Sequence, residues 1–133
     1  MATNSDYIAS AMRLAQILAE GETPSAEQGA DMLAAMNDMM ASMAEDGIDL
    51  GYSPQSSTTD TLLINLGSRE AVKYLLAARA CALFEKPIPP IVAQFAQDGY
   101  KTMLRNALYQ EMQPSTFEQS PFNTGRRFDI TNG

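Results

Sequence analysis

Apolar positions recur three and four apart from Ser5 to Glu20, where Ile8, Ala11, Met12, Ala15, Leu18 and Ala19 fall on one stripe, the spacing that one face of an α-helix requires. Asp6 stands near the start of this run and Gly21 just past its end, so the pattern predicts a first helix over Ser5 to Glu20. Leu14 and Ile17 widen the stripe, which predicts burial against more than one neighbour. A turn, Gly21-Glu22-Thr23-Pro24-Ser25, follows. Ser25 with Gln28 has the capping-box form, in which hydroxyl and side-chain amide each satisfy an orphan backbone group. A second helix is therefore expected from Ser25 to about Asp46, with Gly47 available for the left-handed position beyond its end.

The apolar face of that second helix is made of methionine: Met32, Met36, Met39, Met40 and Met43. Thioether chains fill irregular gaps, so core packing is the usual explanation of such a stripe, with a methionine-rich subunit interface as the alternative. Residues 47 to 61 are rich in turn formers and follow neither the helical nor the strand period, which predicts a long ordered loop. Leu62 to Leu66 reads as a short extended approach to the next helix.

Ser68 is placed to cap a third helix from Arg69 to about Glu85. One of its sides carries Val72, Leu75, Leu76, Arg79 and Leu83, and another the small residues Ala71, Ala78 and Ala82, with Cys81 beside them as a small buried hydrophobe. Pro87, Pro89 and Pro90 interrupt the pattern, because proline removes a backbone donor and disfavours helical angles in the residue before it. A fourth helix is expected from about Pro90 to Met112, with Ile91, Val92, Phe95, Ala96, Tyr100, Met103, Leu104, Ala107 and Leu108 as its stripe.

Beyond Pro114 no helical period remains, yet Phe117, Phe122, Phe128 and Ile130 are spaced along the segment. A solvated tail should be poor in aromatics, so the segment either folds back on its own domain or is an arm that docks on another chain. The Arg126-Arg127 pair between apolar anchors suits a polar groove on a partner and favours the arm. The expected fold is thus all-α, a four-helix bundle-like domain over residues 1–113 with a long 47–67 loop, followed by an extended C-terminal arm over 114–133.

Composition narrows the chemistry. The 133 residues are enough for one ordinary domain. The chain has no His, so the commonest general base and metal ligand is missing, and its single Cys cannot form an internal disulfide or a thiolate metal site. A reducing cytoplasm is the expected folding compartment. No run approaches the roughly 20 apolar residues of a membrane span, and the first residues lack the basic region of a signal peptide. Gly-rich phosphate loops and metal-ligand spacings are absent as well, so no cofactor or metal is expected. Only paired carboxylates, such as Glu20 with Glu22 or Glu45 with Asp46, remain for catalysis, and both pairs fall at expected helix ends where solvated acids are common.

The net charge of −7 is unevenly spread. Residues 1–60 hold ten acids against Arg13 alone, a net of −9, whereas residues 61–133 hold six acids and eight bases, a net of +2. Such a division can orient copies head to tail or simply reflect a solvated acidic hairpin, and it disfavours sequence-specific nucleic-acid binding, which needs a basic face.

The order of parts also resembles a known family. The opening Asp6-Tyr-Ile-Ala-Ser-Ala-Met-Arg-Leu-Ala-Gln-Ile-Leu, then Gly21-Glu-Thr-Pro-Ser-Ala-Glu27 and Asp31-Met-Leu-Ala-Ala-Met-Asn37-Asp-Met-Met, is similar to the head-to-tail adaptor proteins of short-tailed bacteriophages, the tail accessory factor family of P22-like phages. Ala71-Val-Lys-Tyr-Leu-Leu-Ala-Ala-Arg79-Ala, the prolines from 87 to 90, and Val92-Ala-Gln-Phe-Ala96 resemble that family's third helix, break and fourth helix. The sequence departs from the pattern in Met39-Met40 and Ser42 and in a shortened region between Gly47 and Leu66. The resemblance implies a structural virion protein, not an enzyme. It would be assembled in the host cytoplasm and located at the head–tail junction, binding the portal protein as a homo-oligomeric, twelve-subunit ring. DNA would pass through its channel toward a nozzle or other tail proteins, with no membrane contact. It also implies that Phe117, Phe122, Arg126, Arg127, Phe128 and Ile130 dock the arm on a partner. The rival readings are a free-standing acidic helical interaction module or regulator, such as a DNA mimic, and a small carboxylate hydrolase.

Overall fold

In a computed structural model the described residues are 3–112, with side chains described through Tyr109. Four helices follow one another: α1 (Asn4–Leu14), α2 (Ala26–Glu45), α3 (Arg69–Leu83) and α4 (Pro90–Met112). The described residues are all-α, their one β feature being an isolated antiparallel bridge between Thr3 and Thr61. α3 is central and packs against α1, α2 and α4. Tyr7, Ile8, Met12, Met36, Val72 and Leu76 sit at the middle of the single core that results.

α1 is shorter than its apolar stripe. It ends at Leu14, six residues before Glu20, because Gln16 takes a left-handed φ of 63°. The Gln16 amide then donates to Arg13 O at 3.0 Å and the Ile17 amide to Met12 O at 2.9 Å, the paired bonds of a Schellman ending. Gly21, with φ 87°, serves the next turn instead. Ile17 and Leu18 still pack on the core as irregular chain, which is how a helical spacing continues past the end of the helix. At the other end, Thr3 and Asp6 form a capping box, the Thr3 amide donating to Asp6 Oδ2 at 2.9 Å and the Asp6 amide to Thr3 Oγ1 at 3.3 Å.

α2 begins with the Ser25–Gln28 box and ends at Glu45. Its C′ residue is Gly47, at φ 90°, and the Ile48 amide donates to Met43 O at 3.0 Å. All five methionines are at most 3% exposed within this one chain. The stripe is consumed by its own core, and the subunit-interface alternative for Met32, Met36, Met39, Met40 and Met43 fails because none of them presents surface to a second copy.

Two asparagines hold the long loop. Asn4 on α1 is fully buried and its Nδ2 donates to Gln55 Oε1 at 2.9 Å and Ser57 O at 2.8 Å. Asn37 on α2 donates to Gln55 O at 2.9 Å and accepts from the Gln55 amide at 2.9 Å and from the Tyr52 hydroxyl. The loop repays the contact: Asp60 O and Thr58 O accept the otherwise orphaned Asn4 and Ser5 amides of α1. Leu62 and Ile64 then point into the core while Leu63, 62% exposed, points out, the alternation of an extended segment.

Ser68 does not cap α3 with its side chain. A 3₁₀ turn over Leu66–Ser68 runs directly into the helix, and Ser68 already has right-handed helical angles, which leaves its hydroxyl without the cap geometry. The buried face of α3 is Val72, Leu76, Ala77, Ala80 and Cys81, while Ala82 and Leu83 are exposed. The helix stops at Leu83 with Glu85 left-handed at φ 56° and the Lys86 amide donating to Cys81 O at 2.9 Å, a second Schellman ending without glycine. α4 returns along α3 so closely that a Cβ on Gly99 would lie 2.7 Å from Ala71 Cβ.

Candidate functional site

Among the described residues no group of three or more Cys, Asp and Glu side chains is placed to hold a metal ion, and the surface is organised by charge and apolar exposure. On α2, Glu27, Asp31, Asp38 and Glu45 are four or seven residues apart and all exposed, which places them along one line of the helix. Ala30, Ala34, Ala41, Ser42 and Ala44 are exposed small residues near them, and no Lys or Arg occurs between Arg13 and Arg69. The line is an uncompensated anionic ridge some two to three heptads long.

Cations gather elsewhere. Arg13 of α1 meets Arg69 and Lys73 of α3 around a shallow concavity of about 640 Å³, which Glu70 also lines as its one acid and whose rim carries Leu66, 75% exposed. Lys73 Nζ lies 5.7 Å from the centroid of the Tyr7 ring, within cation–π range. Arg13 donates to the Glu22 carbonyl at 3.0 Å. Burial pushes the Tyr7 phenol up, against the opposing pull of the Arg69 charge. Neither the Tyr7 hydroxyl nor Arg69 Nε has a hydrogen-bond partner among the described residues. The one cation of residues 1–60 is thus brought beside two cations of the second half, a grouping the linear charge count does not reveal.

A second, deeper groove of about 780 Å³ runs between the 47–50 turn, the N-terminal end of α3 and one flank of α4. Asp49, Glu70 and Asp98 line it with no Lys or Arg, and Ile48, Tyr74 and Phe95 supply apolar wall. Phe95 is 43% exposed although its ring meets Tyr74 edge-on at 5.1 Å.

One acid of each candidate carboxylate pair is engaged in a structural hydrogen bond. The Glu22 carboxylate accepts the Ala19 amide at 2.8 Å and closes a turn, while Asp46 accepts the Tyr100 hydroxyl and ties the end of α2 to α4. That bond raises the Tyr100 pKa first, with burial adding to it. Cys81 is buried, which pushes its thiol up and leaves it protonated and covered. The arm residues Phe117, Phe122, Arg126, Arg127, Phe128 and Ile130 lie outside the described residues. Among the described residues no helix is long and apolar enough to cross a membrane.

No protein-family model matches the chain, and no curated protein matches it. Among the site residues that sequence reasoning missed are Arg13, Arg69 and Lys73 of the concavity and Asp49, Glu70 and Asp98 of the groove. The four-residue spacing of Arg69 and Lys73 was a visible signal for one shared helix face, but Arg13 joins them only through the packing of α1 on α3.

Proposed function

We propose that this chain is a structural adaptor of a virion head–tail junction, binding the portal as a ring and extending the DNA channel toward the tail. The observation that carries the reading is the separation of charge on a small helical body: an anionic ridge on α2 and a cationic concavity between α1 and α3. Unlike patches on one molecule are what a heterologous, head-to-tail contact needs, and such contacts close into rings when the rotation permits. An acidic channel wall repels DNA and lets it slide rather than bind. The order of capped second helix, proline break and long fourth helix, which underlies the resemblance to the phage adaptor family, supports the same reading. The C-terminal arm, with its phenylalanines and the Arg126-Arg127 pair, supplies the contact with the portal or a neighbouring subunit.

The test is to mix the full chain with the portal of the same virion and measure the mass of the product by light scattering. Formation of a stoichiometric ring supports the adaptor. Failure to bind a correctly assembled portal at micromolar concentration removes it and makes the free-standing acidic interaction module the leading reading.

A further inference from the structure

The acidic, aromatic groove between α3, α4 and the 47–50 turn has a matching segment in the same chain. Twenty-one residues follow Met112, among them Phe117, Phe122 and Phe128 and the adjacent pair Arg126-Arg127. The groove has the opposite character: Asp49, Glu70 and Asp98 with no cation, and the half-open ring of Phe95 beside Tyr74. We infer that in the free protein this groove is the docking site of the chain's own C-terminal segment, the arginines facing the three carboxylates and a phenylalanine covering Phe95.

Reach permits it. From Met112 back to Phe95 is 17 helical residues, about 26 Å at 1.5 Å each. The ten residues Gln113 to Phe122 span up to about 33 Å when extended, so Phe122 can lie over Phe95 after the chain reverses, with Arg126 and Arg127 still to come. Tethering favours this occupant over any other: a short covalent connection to α4 holds the segment at an effective concentration of roughly millimolar, above that of a second copy in dilute solution. Guanidinium groups suit such a surface because their planar forks bind carboxylates and stack on aromatic faces. The inference concerns the free chain and goes beyond the adaptor reading. If both hold, assembly exchanges an internal contact for one with the partner.

The experiment uses the full chain with Cys81→Ala and a nitroxide on Asn123→Cys, and reads relaxation enhancement at the ¹⁵N-labelled amides of Tyr74, Phe95 and Gly99. The inference expects strong broadening at these amides within one chain at low concentration. It also expects Glu70→Lys with Asp98→Lys to weaken docking about fivefold, the effect of removing two solvent-facing ion pairs. Broadening seen only when spin-labelled, unlabelled-isotope chain is mixed with ¹⁵N chain makes a second copy the occupant and overturns the inference. Uniform weak broadening that ignores the charge reversal overturns it too, since it means a tail that samples the surface without docking. Neither result bears on portal binding, so the two proposals fail separately.

Discussion

Gly29 and Gly99 both lie inside helices, but their surroundings set opposite outcomes for the same substitution. A Cβ at Gly29 meets only Thr58 Cγ2 at 3.7 Å, an ordinary contact, so Gly29→Ala should stabilise the protein by about 0.5–1 kcal/mol through helix propensity. At Gly99 the new carbon falls 2.7 Å from Ala71 Cβ and 3.1 Å from Ala71 Cα, atoms that move only with the α3 backbone. Gly99→Ala should therefore cost about 1–2 kcal/mol net, the overpacking outweighing the propensity gain. Urea titration of both variants checks the pair. Asp6 gives a pH prediction at the same scale. The Thr3 amide donating to its carboxylate holds the Asp6 pKa below the ordinary 3.8. The unfolded chain then binds the proton first as pH falls, so the contribution is fully present above about pH 4 and is lost as pH drops through the lower folded value. Wild-type protein should lose stability more steeply below pH 4 than Asp6→Asn, measured by denaturant midpoints across that range.

At the scale of elements, the positions of all four helices were legible, because stripe, capping box and proline break are local signals. Their C-terminal ends were legible for α2 and α4, while Gly21 marked an end that α1 does not reach. Gly47 announces the end of α2, whereas Gln16 and Glu85 end α1 and α3 in left-handed conformations that most residues avoid, and neither residue type advertises this. The long loop was visible as a break in period, but its anchors were not: Asn4 and Asn37 look like ordinary helix-surface polar residues until the fold brings Gln55 against both. Asn37→Ala removes a donor and an acceptor from the Gln55 backbone and the partner of the Tyr52 hydroxyl. The expected cost is about 1–3 kcal/mol. Hydrogen exchange at the Gln55 amide should accelerate more than exchange in the middle of α3, and equal acceleration at both places would mean the loop is not an independent unit.

For the whole molecule, charge division was readable from the sequence as acidic and slightly basic halves, yet the cationic concavity belongs to both, since Arg13 comes from the first and Arg69 and Lys73 from the second. The methionine stripe resolves the other way: core packing, the usual explanation of such a stripe in sequence, is where all five side chains lie once α2 is packed. What the body offers to partners is therefore charge on its helices and aromatic surface along α4, not its methionines. The adaptor account makes these surfaces parts of a ring. Its most direct test is the mass and negative-stain appearance of the full chain after mixing with the assembled portal. The account predicts a ring with as many copies as the portal has subunits, weakened when Asp31→Lys and Asp38→Lys reverse the α2 ridge. A free chain that stays unbound beside intact portal at micromolar concentration would contradict it.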